Sequence, residues 1–105
     1  MDEDMARGLY RILPFMFVLH AFVLVSLYFL AMVSGGLDLF LSEIPGFEAA
    51  CVILPFAVGL TFLTLIVYPR LKVKAETPAM LLLTFTMILN GVLVFEIIMV
   101  WYSFI

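Results

Sequence analysis

The sequence predicts an all-α membrane protein with three transmembrane helices, and two observations indicate this fold class. Of the 105 residues, 67% are hydrophobic and only 12% are charged, whereas soluble domains carry about 25% charged residues. The apolar residues form three runs of about 20 residues, each long enough to cross a hydrocarbon core of ~30 Å as a helix. Because the connections between the runs are short, we expect residues 1–105 to form a single membrane domain.

The basic residues indicate how the chain is threaded through the membrane. All five lie on one predicted side: Arg7, Arg11, Arg70, Lys72 and Lys74. The other connection, from Gly35 to Glu48, contains no Lys or Arg and three acidic residues. Because cytoplasmic loops retain Lys and Arg, these residues set the topology and predict an N-in/C-out orientation. The acidic N-terminus has no transit-peptide character, which favours a prokaryotic cytoplasmic membrane with the N-terminus cytoplasmic and the C-terminus outside.

We place the three spans at about 12–33, 49–68 and 79–103. The first apolar run is longer than the ~7–15 residues of a signal-peptide core, so we expect it to be retained as a true span. Pro69 is predicted to end the second helix, because proline has no N–H to continue it. Thr77-Pro78 resembles a capping residue followed by a proline at the first helical position, which predicts the start of the third helix.

A short amphipathic segment is expected outside the membrane, between helices 1 and 2. In the stretch Leu37–Ile44 the apolar residues fall on one helical side, and Asp38 and Ser42 fall on the other. This pattern is typical of a short helix lying in the membrane interface. An amphipathic loop is the alternative interpretation.

A few polar side chains lie deep in the spans and are candidate intramembrane contacts. At ~1.5 Å per residue, His20 lies ~12 Å from the inner end of its span, with Asn90 at a similar depth and Thr61 at ~10 Å. These three residues are predicted to form one polar layer. Glu96 lies about 12 Å from His20 in depth, near the level of Ser26, so Glu96 and His20 cannot be direct partners in an upright bundle.

Glu96 is the strongest candidate for a functional residue, because placing an ionisable group within a membrane is energetically costly and such groups are usually functional. One interpretation is a proton or cation site. The other is a protonated or hydrogen-bonded glutamate that holds the third helix against another helix, for instance in a partner chain. We favour the structural interpretation, because a single carboxylate without relay neighbours makes a poor ion pathway.

The sequence contains no self-contained catalytic constellation and no cofactor motif, so the chain is not expected to be an enzyme by itself. Cys51 is the only cysteine, which excludes an internal disulfide or a zinc site made by this chain alone. A haem held through His20 would need a second ligand from elsewhere, and a hydrogen-bonding histidine is favoured instead. The five basic residues are explained by topology, and no nucleic-acid partner is expected.

The function favoured by these features is that of a small accessory subunit of a larger integral-membrane complex, in contact with larger subunits and with lipid. The layout is similar to that of the small three-span subunits of respiratory and other energy-converting complexes, although no motif matches any one such family. The alternative is a homo-oligomeric transporter or channel whose ion site uses Glu96 or His20. A haem or quinone anchor built on His20 is the third hypothesis.

Overall fold

The computed structural model describes residues 3–33 and 47–104, and three long α-helices make up almost all of these residues. They are α1 (Glu3–Val33), α2 (Phe47–Lys74) and α3 (Glu76–Phe104). Each is long and apolar enough to cross a membrane, so the predicted all-α class with three such helices is confirmed. The predicted amphipathic segment 37–44 lies outside the described residues.

All three helices extend beyond the predicted spans at the end that carries the basic residues. Helix α1 begins at Glu3 rather than near residue 12, with Glu3 and Asp4 in its first turn, where acidic side chains favour the helix dipole. Helix α2 continues to Lys74, with Lys72 and Lys74 in its last turn. The prediction that Pro69 ends this helix is therefore wrong.

A contact from α1 explains how α2 continues through Pro69. Proline has no N–H, so the carbonyl of Leu65, four residues earlier, loses its helical donor. The hydroxyl of Tyr10 donates a hydrogen bond to this carbonyl oxygen at 2.9 Å. The ring of Tyr10 also stacks on that of Tyr68, with ring centroids 5.1 Å apart. Helix α1 thus supplies the bond that Pro69 removes from α2.

We expect Tyr10→Phe to lower the free energy of unfolding by about 1–2 kcal/mol, because it leaves the Leu65 carbonyl without a donor. In a Pro69→Ala background the same change should matter less, since the N–H of an alanine at this position can bond Leu65 within the helix. A double-mutant cycle of unfolding free energies in bicelles measures this difference. An equal effect of Tyr10→Phe in both backgrounds would contradict this explanation of the continuous helix.

The buried residues of each helix recur at seven-residue intervals. Examples are Leu13, His20 and Leu27 in α1, Ala50, Ala57 and Thr64 in α2, and Leu83, Asn90 and Ile97 in α3. A repeat of 3.5 residues per turn is the pattern of a left-handed bundle, in which one seam of each helix faces its neighbours. The seam of α2 consists largely of alanine and threonine, small residues that let helix backbones approach closely in membranes.

The helices run alternately up and down, and α2 and α3 form a tight hairpin. Only Ala75 separates them, and its N–H donates to the carbonyl of Leu71 at 2.7 Å. The most extensive helix contact is between α2 and α3, and α1 packs against both. The start of α1 meets the end of α2, where Lys72 lies 3.6 Å from Glu3. The five basic residues therefore belong to one end of the bundle.

Two apolar clusters fill the interior on either side of its middle. At the basic end, Ala6 and Leu13 pack with Tyr68, Ala79 and Leu83. A larger cluster at the other end contains Val23, Leu27, Leu30, Ala50, Ala57, Leu93, Ile97 and Val100. The buried polar side chains between these clusters form the candidate site.

Candidate functional site

A polar layer joins all three helices near their midpoints. The Nε2 atom of His20 lies 2.6 Å from the Oδ1 atom of Asn90. The Nδ2 atom of Asn90 donates to the hydroxyl oxygen of Thr61 at 3.0 Å. The structure therefore brings together the three residues that sequence depth placed at one level, one from each helix.

The layer lies close to the midpoints of the helices. Asn90 is 14 residues from either end of α3, and His20 is 17 residues from the start of α1 and 13 from its end.

The hydrogen bonds of Asn90 determine which atom donates and which accepts in each contact of the layer. The backbone carbonyl of Thr86 can only accept, and the Nδ2 atom of Asn90 donates to it at 2.9 Å. The Oδ1 atom of Asn90 must then face His20 and accept a proton carried on Nε2. Asn90 thus makes three hydrogen bonds and is the central member of the layer.

The second nitrogen of His20, Nδ1, is buried and has no hydrogen-bond partner among the described residues. The His20 ring meets the edge of Phe17, with centroids 5.7 Å apart, and the residue is only 4% exposed. With Nε2 bonded to Asn90, Nδ1 is the ring nitrogen without a bond, and it is enclosed within the bundle. Within residues 3–33 and 47–104, no three His, Cys, Asp or Glu residues are grouped as metal ligands.

A second polar pair, one turn from the layer, was missed by sequence reasoning. The hydroxyl oxygens of Thr64 and Thr86 lie 2.6 Å apart, and each is 2.8 Å from the carbonyl four residues earlier in its own helix. Two hydroxyl protons cannot serve three contacts, so one threonine donates across the helices while the other donates to its own backbone. Thr64 and Thr86 are equally far from Ala75 in sequence, so a tight turn at Ala75 places them at equal depth. This equal spacing is the sequence signal that could have predicted the pair.

Glu96 and Ser26 lie away from the polar layer. Ser26 is buried in α1 at 4% exposure. Glu96 is half-buried, six residues or ~9 Å beyond Asn90 along α3. Within the described part of the chain, the side chain of Glu96 has no hydrogen bond and no ion pair. Glu96 is turned ~60° around the helix from Leu93 and ~100° from Ile97, two residues of the seam, which puts it on the flank of the bundle.

The basic residues at the end of the bundle are mostly exposed. Glu3 accepts contacts from Arg7 at 3.7 Å and from Lys72 at 3.6 Å. The Lys72 ammonium also lies 6.0 Å from the ring centroid of Tyr68. Arg11, Arg70 and Lys74 make no ion pair with any described residue. Because these ion pairs are largely exposed, they add little to the stability of the bundle.

No family model matches this sequence, and no curated protein or solved structure matches it either. The function is therefore inferred from the geometry of the chain alone.

Proposed function

We propose that this protein is a small accessory subunit of a larger integral-membrane complex, which it joins through the outer surface of its helix bundle. The observation that carries the proposal is the contrast between Glu96 and the polar layer. His20, Thr61 and Asn90 are bonded to one another inside the bundle. Glu96 is the one ionisable side chain in the apolar middle of α3, and it has no partner among the described residues.

An unpaired carboxyl group is unfavourable on a surface that faces lipid. An aspartate at the centre of a membrane helix costs about 2.5–3.5 kcal/mol on insertion scales, and we expect Glu96, ~9 Å from the midpoint of α3, to carry part of this cost. Lipid tails offer no hydrogen-bond donor, so a neighbouring protein is the partner that offsets this cost. The proposed role is structural: Glu96 holds α3 against a larger subunit, and respiratory or other energy-converting complexes are the class proposed from the similarity of layout.

The proposal includes the orientation of the chain. The five basic residues gather at one end of the bundle, where α1 begins, α2 ends and α3 begins. Cytoplasmic ends of membrane helices are enriched in Lys and Arg. We therefore propose an N-in/C-out protein of a prokaryotic cytoplasmic membrane, with Glu76 on the cytoplasmic side and Tyr102 outside.

The second candidate function is a homo-oligomeric transporter or channel in which several copies surround a path lined by Glu96. The half-exposed carboxyl group is the observation that favours it. The interior of a single copy does not support a path, because the polar layer is enclosed and its groups bind one another. Any path would have to form between copies.

Purification from native membranes in mild detergent, followed by native mass spectrometry, separates the two functions. We expect the chain to be recovered with at least one larger protein at fixed stoichiometry. A species that contains only copies of this chain, or the chain alone, would contradict the accessory-subunit proposal. Lys74 and Val33 are at opposite ends of the bundle, so thiol labelling of cysteines placed there, in a Cys51→Ala background, tests the orientation.

A further inference from the structure

We infer that one face of α3, centred on Glu96, is the docking surface, and that its occupant is a transmembrane helix carrying an uncharged hydrogen-bonding side chain, an amide or a hydroxyl. This inference rests on the proposed function and adds the face and the chemistry of the partner. We call this face the Glu96 stripe and define it by Leu89, Val92, Glu96 and Met99.

The members of the Glu96 stripe lie on one side of α3. Val92 and Met99 are four and three residues from Glu96, which places them within ~40–60° of it around the helix. Ile98 is only two residues from Glu96 but is turned ~160° away. Val92 is 40% and Met99 38% exposed, compared with 59% for Ile98. The stripe therefore forms the shoulder of the bundle, where a further helix can pack beside α3.

The occupant must be a helix, because a segment without internal backbone hydrogen bonds is not stable against lipid. It must also offer a polar side chain at the level of Glu96. An amide or hydroxyl can hydrogen-bond the Glu96 carboxyl group without bringing a second charged side chain into hydrocarbon, whereas a Lys or Arg would have to be desolvated as well. A second copy of this chain fits less well, because it would set two carboxyl groups against each other.

Site-specific photo-crosslinking in native membranes tests the face. A benzoylphenylalanine is placed at Val92 or Met99 on the stripe, and at Ile98 as the matched control of equal depth. We expect one adduct of defined mass from the first two positions and at least tenfold less from the third. The crosslinked peptide should come from a transmembrane segment containing Asn, Gln, Ser or Thr. Equal yields from all three positions, an adduct with a second copy, or a peptide whose only polar residue is Lys or Arg would overturn the inference.

Substitution of Glu96 tests the chemistry. Glutamine keeps a donor and an acceptor, so Glu96→Gln should leave the adduct yield within about twofold, whereas Glu96→Leu should lower it about tenfold, which corresponds to ~1.4 kcal/mol. Both variants should retain the unfolding transition of the isolated bundle, because Glu96 has no partner among the described residues. An unchanged yield with Glu96→Leu, or an equal loss with Glu96→Gln, would overturn the inference. If one of these contradicting results is obtained while the wild-type protein still purifies with a larger subunit, the docking face is wrong but the proposed function stands.

Discussion

Replacement of Asn90 by leucine is expected to lower the free energy of unfolding by about 2–4 kcal/mol. The change removes hydrogen bonds to His20, Thr61 and the Thr86 carbonyl. Hydrogen bonds between membrane helices contribute about 0.6 kcal/mol on average and up to ~1.7. Buried groups left without a partner add a penalty of about 1–3 kcal/mol. The largest penalty is expected at His20, because both of its ring nitrogens, Nε2 and Nδ1, would then be buried without a hydrogen-bond partner.

Unfolding free energies measured by steric trapping in bicelles test this expectation. The matched comparison is Thr61→Val, which removes one bond and leaves Asn90 bonded to His20, and should cost about 1 kcal/mol. The double variant His20→Leu/Asn90→Leu should cost less than the sum of the single changes, because it removes both members of an interacting pair. A loss below about 0.5 kcal/mol for Asn90→Leu would show that the polar layer does not hold the bundle together.

The second large effect is expected from Ala57→Leu in the seam of α2. Ala57 has no exposed surface and packs in the cluster that contains Val23 and Leu93. Three additional carbon atoms must displace neighbouring side chains or push the helices apart, which typically costs about 1–3 kcal/mol. We expect a value near the upper limit, because Ala57 is fully enclosed by neighbouring side chains and the added atoms have no route to the surface.

Gly59 provides the matched control, two residues further along the same helix. A Cβ atom placed there meets no other atom within 4 Å, and the position is exposed. Gly59→Leu should therefore leave stability unchanged or raise it by up to about 1 kcal/mol, since glycine is a poor helix former. Comparable losses from Ala57→Leu and Gly59→Leu, measured in the same bicelle assay, would contradict the assignment of the seam.

The three helices could be predicted from sequence because their signal is length and hydropathy, which do not depend on packing. The shared layer of His20, Thr61 and Asn90 could be predicted as well, since polar residues are rare enough in these spans to be compared by depth. Which face of each helix is buried could not be predicted. The outward-facing residues, such as Phe15 and Phe85, are as apolar as the buried Leu13 and Leu83, so no hydrophobic periodicity marks the seam.

The error at Pro69 has a different origin. A proline in a helix removes one hydrogen bond, and local reasoning takes that loss as the end of the helix. The compensating donor, the Tyr10 hydroxyl, is 55 residues from Leu65 in sequence and is supplied only when α1 packs against α2. The pairing of Thr64 with Thr86 was missed for a related reason. It depends on the one-residue turn at Ala75, while the predicted end of α2 at Pro69 implied a longer connection.

The single residue between α2 and α3 also bears on the order in which the helices assemble. Ala75 places the start of α3 directly after the end of α2, so these two helices meet through residues that are close in sequence. Thirteen residues of sequence separate Val33 from Phe47. Helix α1 therefore reaches the other two described helices only through contacts that are further apart in sequence. We expect the hairpin to assemble first from contacts near in sequence, and α1 to dock afterwards on the completed pair.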